Sequence, residues 1–221
     1  MDELVRDVST AVEASAADLV IVRYPTDCLP LGRELADGAD RKMLSAGTLM
    51  YWEDRRTDVT SGTTLAVHLS QPVDLREADA LLADAFRDYR NHYSYNPQTP
   101  AHVTTTGYLQ WARTRLESGD GTGIVLYDDS GRAIGLATVR SFETHKEVLE
   151  VELAGISVSA QAAGNYARLW GLVRAFADHA GVARILISTQ VANVDVQRAW
   201  ARLGLLPLAA YDTVHLSRRS K

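Results

Sequence analysis

The alternation of apolar and polar positions divides the chain into helices and strands at close intervals. Leu4, Val8, Ala11, Val12 and Ser15 recur at helical spacing and predict a helix over 3–17. An apolar run at 19–24 predicts a strand that Pro25 ends, and 28–45 reads as a helix and a turn with Gly38 and Gly47 as breakers. A second strand follows at 48–53, and the polar stretch 54–62 reads as a linker or exposed loop. Beyond it come a strand at 63–69 and a helix capped by Asp74, with Ala78, Leu82, Ala85, Phe86 and Tyr89 on its apolar face. A short helix bears Tyr108, Trp111 and Leu116. Strands at 123–127 and 133–140 flank the turn Asp128-Asp129-Ser130-Gly131, a hairpin signal, and a polar turn at 143–145 leads into the strand 149–158.

The C-terminal third has the clearest pattern. After the strand, Ser157 to Ala163 are nearly all small, Gly164 follows, and a helix opens with Leu169, Leu172, Val173, Phe176 and Ala180 on one face. Small residues leave the first N–H groups of that helix uncovered, and such a terminus favours an anion through its unpaired donors and its dipole. The loop holds no Lys, which excludes a Walker-type phosphate loop, and its glycine spacing is not that of a dinucleotide fold. A strand at 184–189 then leads to Asn193 and a helix with Val196, Ala199, Trp200 and Leu203 on one face, ending at Gly204-Leu205. Strands at 205–209 and 211–216 complete the chain. The unit 19–53 has nearly the length and order of 184–217, which suggests a degenerate echo of the C-terminal half.

Composition narrows the classes of function. The chain has 221 residues, enough for one sizeable core or a core with a small subdomain. Net charge is −5 and the basic residues are scattered, which argues against a nucleic-acid partner. The single Cys28 excludes an internal disulfide and fits a reducing cytoplasm; it reads as a small packing residue rather than a nucleophile. No apolar run approaches a membrane span, and Met1-Asp2-Glu3 has the wrong sign for a signal peptide.

Val158 and Gln161-x-x-Gly164, set between a strand and a long helix, resemble the acyl-CoA loop of the GNAT N-acetyltransferase superfamily, whose pattern is Gln/Arg-x-x-Gly-x-Gly/Ala. Tyr166 departs from it at the last position, and Ala163 stands where a basic residue is usual. The segment from Asn193 to Leu205 resembles the superfamily's Asn-x-x-Ala-x-x-x-Tyr-x-x-x-Gly-Phe, with Trp200 in the place of its Tyr. The resemblance implies an α/β (α+β) GNAT fold: a mixed, mostly antiparallel sheet splayed at its centre and flanked by helices. It covers about 63–216, leaving 1–62 as a small N-terminal α/β half-domain and 63–221 as the catalytic domain.

By that resemblance acetyl-CoA or another acyl-CoA is the co-substrate, with no metal. Ile156 and Val158 would contact the pantetheine arm, and Gln161, Ala163, Gly164, Asn165 and Tyr166 the pyrophosphate. Asn193 would bond the arm near the thiol, or serve simply as a helix N-cap. Glu152 holds the position of a Glu that can accept the amine proton, although Glu150, Glu152 and their neighbours also suit a solvated strand face. Since indole cannot supply a proton, Tyr211 on the final strands is the candidate acid, ahead of His215. Tyr89 to Asn96 holds three tyrosines, a histidine, two asparagines and an arginine, a mix suited to a polyhydroxylated or heterocyclic ligand. Tyr89, His92, Tyr93, Tyr95 and Asn96 are therefore the candidate acceptor site, against the plainer reading of a helix end and a polar turn.

The architecture is similar to GNAT enzymes acting on amino-sugar nucleotides, of the dTDP-fucosamine acetyltransferase kind. The expected protein is a cytoplasmic N-acetyltransferase acting on an amine of a small polar metabolite, such as an amino sugar or sugar nucleotide or a natural-product amine, with a homodimer as the expected assembly. One alternative acceptor is a peptide or protein amine. Another reading is a GNAT-derived protein that binds ligand, or does other chemistry, without acyl transfer.

Overall fold

The computed structural model describes residues 2–38, 40–55, 74–119, 121–142 and 147–219. In chain order the elements are α1 (Asp2–Ala14), β1 (Leu19–Pro25), α2 (Leu29–Asp37), β2 (Arg41–Arg55), α3 (Leu75–Ala85) and α4 (Ala101–Ser118). Then come β3 (Thr122–Tyr127), β4 (Ala133–Ser141), β5 (Val148–Ile156), α5 (Asn165–His179), β6 (Arg184–Gln190), α6 (Val194–Arg202) and β7 (Leu206–Arg218). Short 3₁₀ turns lie at His92–Tyr95 and Val158–Ala163.

Among the described residues the strands form one sheet in the order β1-β7-β2-β6-β5-β4-β3. Every neighbouring pair is antiparallel except β5 and β6. The N-terminal strands are therefore built into the same sheet as the rest, with β2 lying between β6 and β7. The order β1-β7-β2-β6 reads the same when α1-β1-α2-β2 is exchanged with α5-β6-α6-β7, so the suggested echo takes the form of two interleaved units. Each unit's second strand inserts between the strands of the other.

Alternation along each strand gives the sheet two apolar faces. Ala137, Val139 and Val151 face α5, where Leu169, Trp170, Val173 and Ala177 complete the main core. Leu136 and Leu153 point the other way, onto Leu81, Leu82 and Phe86 of α3 and Ala112 of α4. A third cluster joins Val5 and Val12 of α1 and Leu31 and Leu35 of α2 to Val214 and Leu216 of β7. Asp74 caps α3 as its sequence position suggests, accepting from the Arg76 N–H at 2.9 Å.

Several boundaries differ from expectation. β2 begins at Arg41 and absorbs Asp54 and Arg55 of the expected linker. Its buried ends are polar, which hid them: Asp54 accepts from Trp170 Nε1 and Arg174 Nε, and Glu53 from Arg55 and Arg184. The two expected final strands are one continuous β7, held by β1 on one side and β2 on the other. The short helix around Trp111 is an 18-residue α4. The expected strand at 63–69, most of the linker, the boundary at 62/63 and the turn at 143–145 lie outside the described residues.

Candidate functional site

The site begins where two strands separate. β5 and β6 pair in parallel from Val148 with Arg184 to Val151 with Ile187, and their pairing ends there. On the other side of β5, Val139 faces Val151 while Thr138 faces Leu153, so Glu152 is the extra residue of a bulge. A bulge bends its strand and redirects a side chain. The break thus falls at the residue after the last parallel pair. It opens into a slot of about 730 Å³ whose wall includes Glu152, Ile156, Ser188 and Thr189.

One end of the slot is formed by the loop after β5 and by α6. Val158, Gln161, Tyr166, Asn193 and Trp200 line it. Gly164 sits at φ +70°, a conformation that glycine adopts without strain, and turns the chain into α5. No side chain caps α5 and no acidic residue lies in its first turn. Asn165 turns back to the Ala160 carbonyl through Nδ2 at 3.0 Å, and Ala163 belongs to the 3₁₀ turn. Two backbone groups here are already engaged by side chains. The Val158 N–H donates to Asp84 Oδ2 at 2.8 Å, and the Ile156 carbonyl accepts from Gln161 Nε2 at 3.2 Å. Asn193 stands at the N-cap of α6 without making a side-chain cap bond; its Nδ2 donates to Thr189 Oγ1 at 3.0 Å.

The two departures from the sequence pattern touch each other. Trp200 Nε1–H, on α6, donates to the hydroxyl of Tyr166, on α5, at 2.8 Å. Trp200 is 1% exposed and meets Trp52 edge-on at 6.0 Å between ring centroids. Burial pushes the Tyr166 phenol well above its usual pKa, and the Trp200 hydrogen bond opposes that rise only in part.

The other end is aromatic. Tyr89 and Tyr108 line it with Trp111, Phe86 and His92, and Phe86, Tyr89 and Tyr108 pack with ring centroids 5.5–5.8 Å apart. Of the expected acceptor residues, Tyr89 and His92 reach the slot. Tyr93 stands behind His92, ring against ring at 4.0 Å, and Asn96 is buried against His215. Tyr95 is partly exposed and lies over Gly47 of β2. His92 Nδ1 meets His215 Nε2 at 2.9 Å. Burial, then the charge of Arg23, then His215 lower the His92 pKa to about 4.

Glu152 is 3% exposed and pairs with Arg140 Nε at 3.3 Å and Arg115 Nε at 3.4 Å. Glu150 instead bonds Arg140 Nη2 at 2.8 Å. Tyr211 packs edge-on against Tyr51 at 5.5 Å, and the residues lining the slot do not include it. Arg23, Asp84, Tyr108, Trp111, Ser188 and Gln190 line the slot but were not anticipated. Only Arg23 left a signal, as a charge within an apolar strand.

No family model matches the sequence, and no curated protein matches it. Solved structures do. An acetyltransferase from the GNAT family from Colwellia psychrerythraea superposes with a TM-score of 0.58 at 15% identity, over 98% of this chain and 72% of that one. A GCN5-related N-acetyltransferase from Kribbella flavida gives 0.58 at 19% identity, over 100% and 77%. A conserved protein of unknown function from Staphylococcus epidermidis gives 0.61 at 10%, over 99% and 81%. The chain has the GNAT fold. Within the GNAT fold, the splay between β5 and β6 is the slot described above, and α5 follows the loop bearing Gln161 and Gly164. Among the described residues no helix is long and apolar enough to cross a membrane, and no group of three or more His, Cys, Asp or Glu side chains is placed to hold a metal.

Proposed function

We propose that this protein transfers an acetyl or other short acyl group from an acyl-CoA thioester to an amine on a small polar metabolite. The observation that carries the reading is the slot at the β5–β6 splay, with a loop and helix terminus at one end and an aromatic enclosure at the other. The residues at the first end fit a CoA thioester. The start of α5 offers N–H donors that no side chain caps, Asn193 lines the slot, and the two engaged backbone groups are held by side chains, Asp84 and Gln161, rather than by other backbone. The aromatic enclosure of Tyr89, Tyr108 and Trp111 supports a compact acceptor over a peptide. An amino sugar or a natural-product amine remains the finer expectation.

When bound, the thioester supplies an activated acyl carbon; a C–N bond forms there and the C–S bond breaks. Glu152, set in the slot by the bulge, receives the amine proton directly or through water. The Tyr166 hydroxyl, expected at the pyrophosphate, instead meets Trp200, the position that the sequence pattern gives to the acid, and so would stand beside the sulfur that leaves. Trp200 occupies one lone pair of its hydroxyl, so the single phenolic hydrogen remains for the slot. Tyr166 and Trp200 together thus replace the acid that the sequence pattern lacks at position 200. Because burial makes this phenol a weak acid, it acts as a hydrogen-bond donor, and the thiolate takes its proton from solvent after leaving.

One observation favours a second reading. Tyr166 fills a position where the pattern has Gly or Ala, and a protein that binds ligand there without acyl transfer would tolerate the bulk. Acetyl-CoA titration by calorimetry, with thiol release measured over a panel of amines, separates the two. Binding with release supports acyl transfer. Binding without release for every amine favours the second reading, and no binding overturns the first.

A further inference from the structure

At the acceptor end two hydrogen-bond donors converge from opposite parts of the chain, and among the described residues no carboxylate pairs with either. Arg23 lies on β1, separated from β5 by β7, β2 and β6, yet it lines the slot. Its Nε donates to Thr213 Oγ1 at 3.2 Å, which orients the guanidinium. Among the described residues no carboxylate pairs with it, so both terminal nitrogens keep their hydrogens for another partner. Four of the described carboxylates line the slot: Asp84 bonds Arg87 and the Val158 N–H, Glu152 pairs with Arg115 and Arg140, Asp195 pairs with Arg198, and Asp88, like Arg23 itself, is exposed.

The second donor is His92, and its tautomer follows from a chain of three side chains. The Gln98 backbone N–H can only donate, and it meets Asn96 Oδ1 at 2.9 Å. That fixes the amide, so Asn96 Nδ2, which also can only donate, meets His215 Nδ1 at 2.9 Å. His215 therefore accepts at Nδ1 and carries its proton on Nε2. It donates that proton to His92 Nδ1 at 2.9 Å. His92 is left with its own proton on Nε2, and no described residue accepts it. In this state His92 cannot act as a base, because its one basic nitrogen is occupied. The lowered pKa of both rings keeps the arrangement neutral through ordinary pH, with burial the leading cause for each.

We propose that Arg23 and the Nε2–H of His92 form an oxyanion subsite, so that the preferred acceptor is an amine carrying a carboxylate or a phosphate. A guanidinium fork matches either group in two parallel hydrogen bonds, and a neutral imidazole donor adds a third without requiring a second buried charge. This rests on the acyl-transfer reading for the amine end of the acceptor. The anion itself is recognised whether or not transfer occurs.

The test uses matched acceptors: an α-amino acid against its carboxamide, and a hexosamine 6-phosphate against the free hexosamine. Thiol release from acetyl-CoA gives kcat/KM for each, and calorimetry gives their binding with and without CoA. In at least one pair the anionic member should be favoured by on the order of tenfold, as expected for charge-assisted hydrogen bonds. The pair that shows the preference identifies carboxylate or phosphate. Arg23→Met should bring the ratio toward one, Arg23→Lys should keep part of it, and His92→Glu should reverse it. A wild-type ratio at or below one in both pairs overturns the proposal, as does a ratio that survives Arg23→Met, or the absence of any binding or turnover with all four acceptors. Acetylation of neutral amines without anion preference overturns this subsite alone. Anion-dependent amine binding without acetyl-CoA binding overturns the acyl-transfer reading alone.

Discussion

Replacing Tyr166 with Phe removes one oxygen atom and has two separable consequences. The first is structural. Trp200 is 1% exposed, and its Nε1–H donates to that oxygen at 2.8 Å, so the variant leaves a buried donor unsatisfied. Such a loss costs about 1–3 kcal/mol. At about 2–4 °C per kcal/mol for a chain of this size, the melting temperature should fall by roughly 2–12 °C. The second consequence is catalytic. An alkyl thiol ionises near pH ~8.5 and leaves readily, so the donor's contribution belongs at the low end of acid–base effects, about a hundredfold in kcat. Thiol release at saturating acetyl-CoA, beside a thermal melt, reads both. Trp200→Phe is the companion: it keeps the phenol, removes the indole donor and leaves a small cavity, so it should lose stability while retaining more turnover than Tyr166→Phe. A Tyr166→Phe variant that melts early yet turns over within about twofold of wild type would refute the donor role, since that value is far from the about hundredfold loss expected of a donor. An inactive Trp200→Phe beside an active Tyr166→Phe would instead give the indole N–H the direct role.

Glu152→Gln should lower turnover by about a hundredfold with CoA affinity kept, as calorimetry would show; a crippled Glu150→Gln beside a mild Glu152→Gln would contradict the assignment. Because the folded pKa of His92 lies near 4, below its usual 6.5, the unfolded chain binds the proton first as pH falls. Stability should therefore decline from about pH 6.5 towards pH 4, and the urea midpoint should drop less between pH 7 and pH 5 in His92→Gln than in wild type. Gly155→Ala would set its Cβ 2.9 Å from Ala85 Cβ and 3.1 Å from Phe86 Cε2. α3 must shift away from β5, at about 1–3 kcal/mol measured by chemical denaturation.

The run from β5 through α6 was legible because each element there carries its own period: apolar alternation to Ile156, small residues to Gly164, and helical stripes in α5 and α6. Local pattern could place Asn193 and Glu152 but not their contacts. Which strand lies beside which is a property of distant segments, so β2 between β6 and β7 left no trace. The polar ends of β2 looked like a linker because their partners, Trp170, Arg174 and Arg184, lie more than a hundred residues away. Tyr166 and Trp200 each looked like an isolated departure; only packing α5 against α6 shows that they form one hydrogen-bonded couple. Tyr93 and Asn96 were grouped with His92 by sequence proximity, and the 3₁₀ turn places them behind it.

The exchange of strands between the two units has a consequence for how the chain reaches this state. β2 cannot settle until β6 and β7 exist, and β7 cannot be closed without β1, so the two strands that precede α3 wait for the two that follow α5. Rates of folding fall as contacting residues lie further apart in sequence, so a slow final step that locks residues 41–55 into place is expected. Until then β6 and β7 present facing open edges, which are templates for another copy of the same strand. Cutting the chain ahead of the described α3 would make that interval permanent, and the shortened protein should assemble through strand exchange or precipitate rather than persist as a lone half.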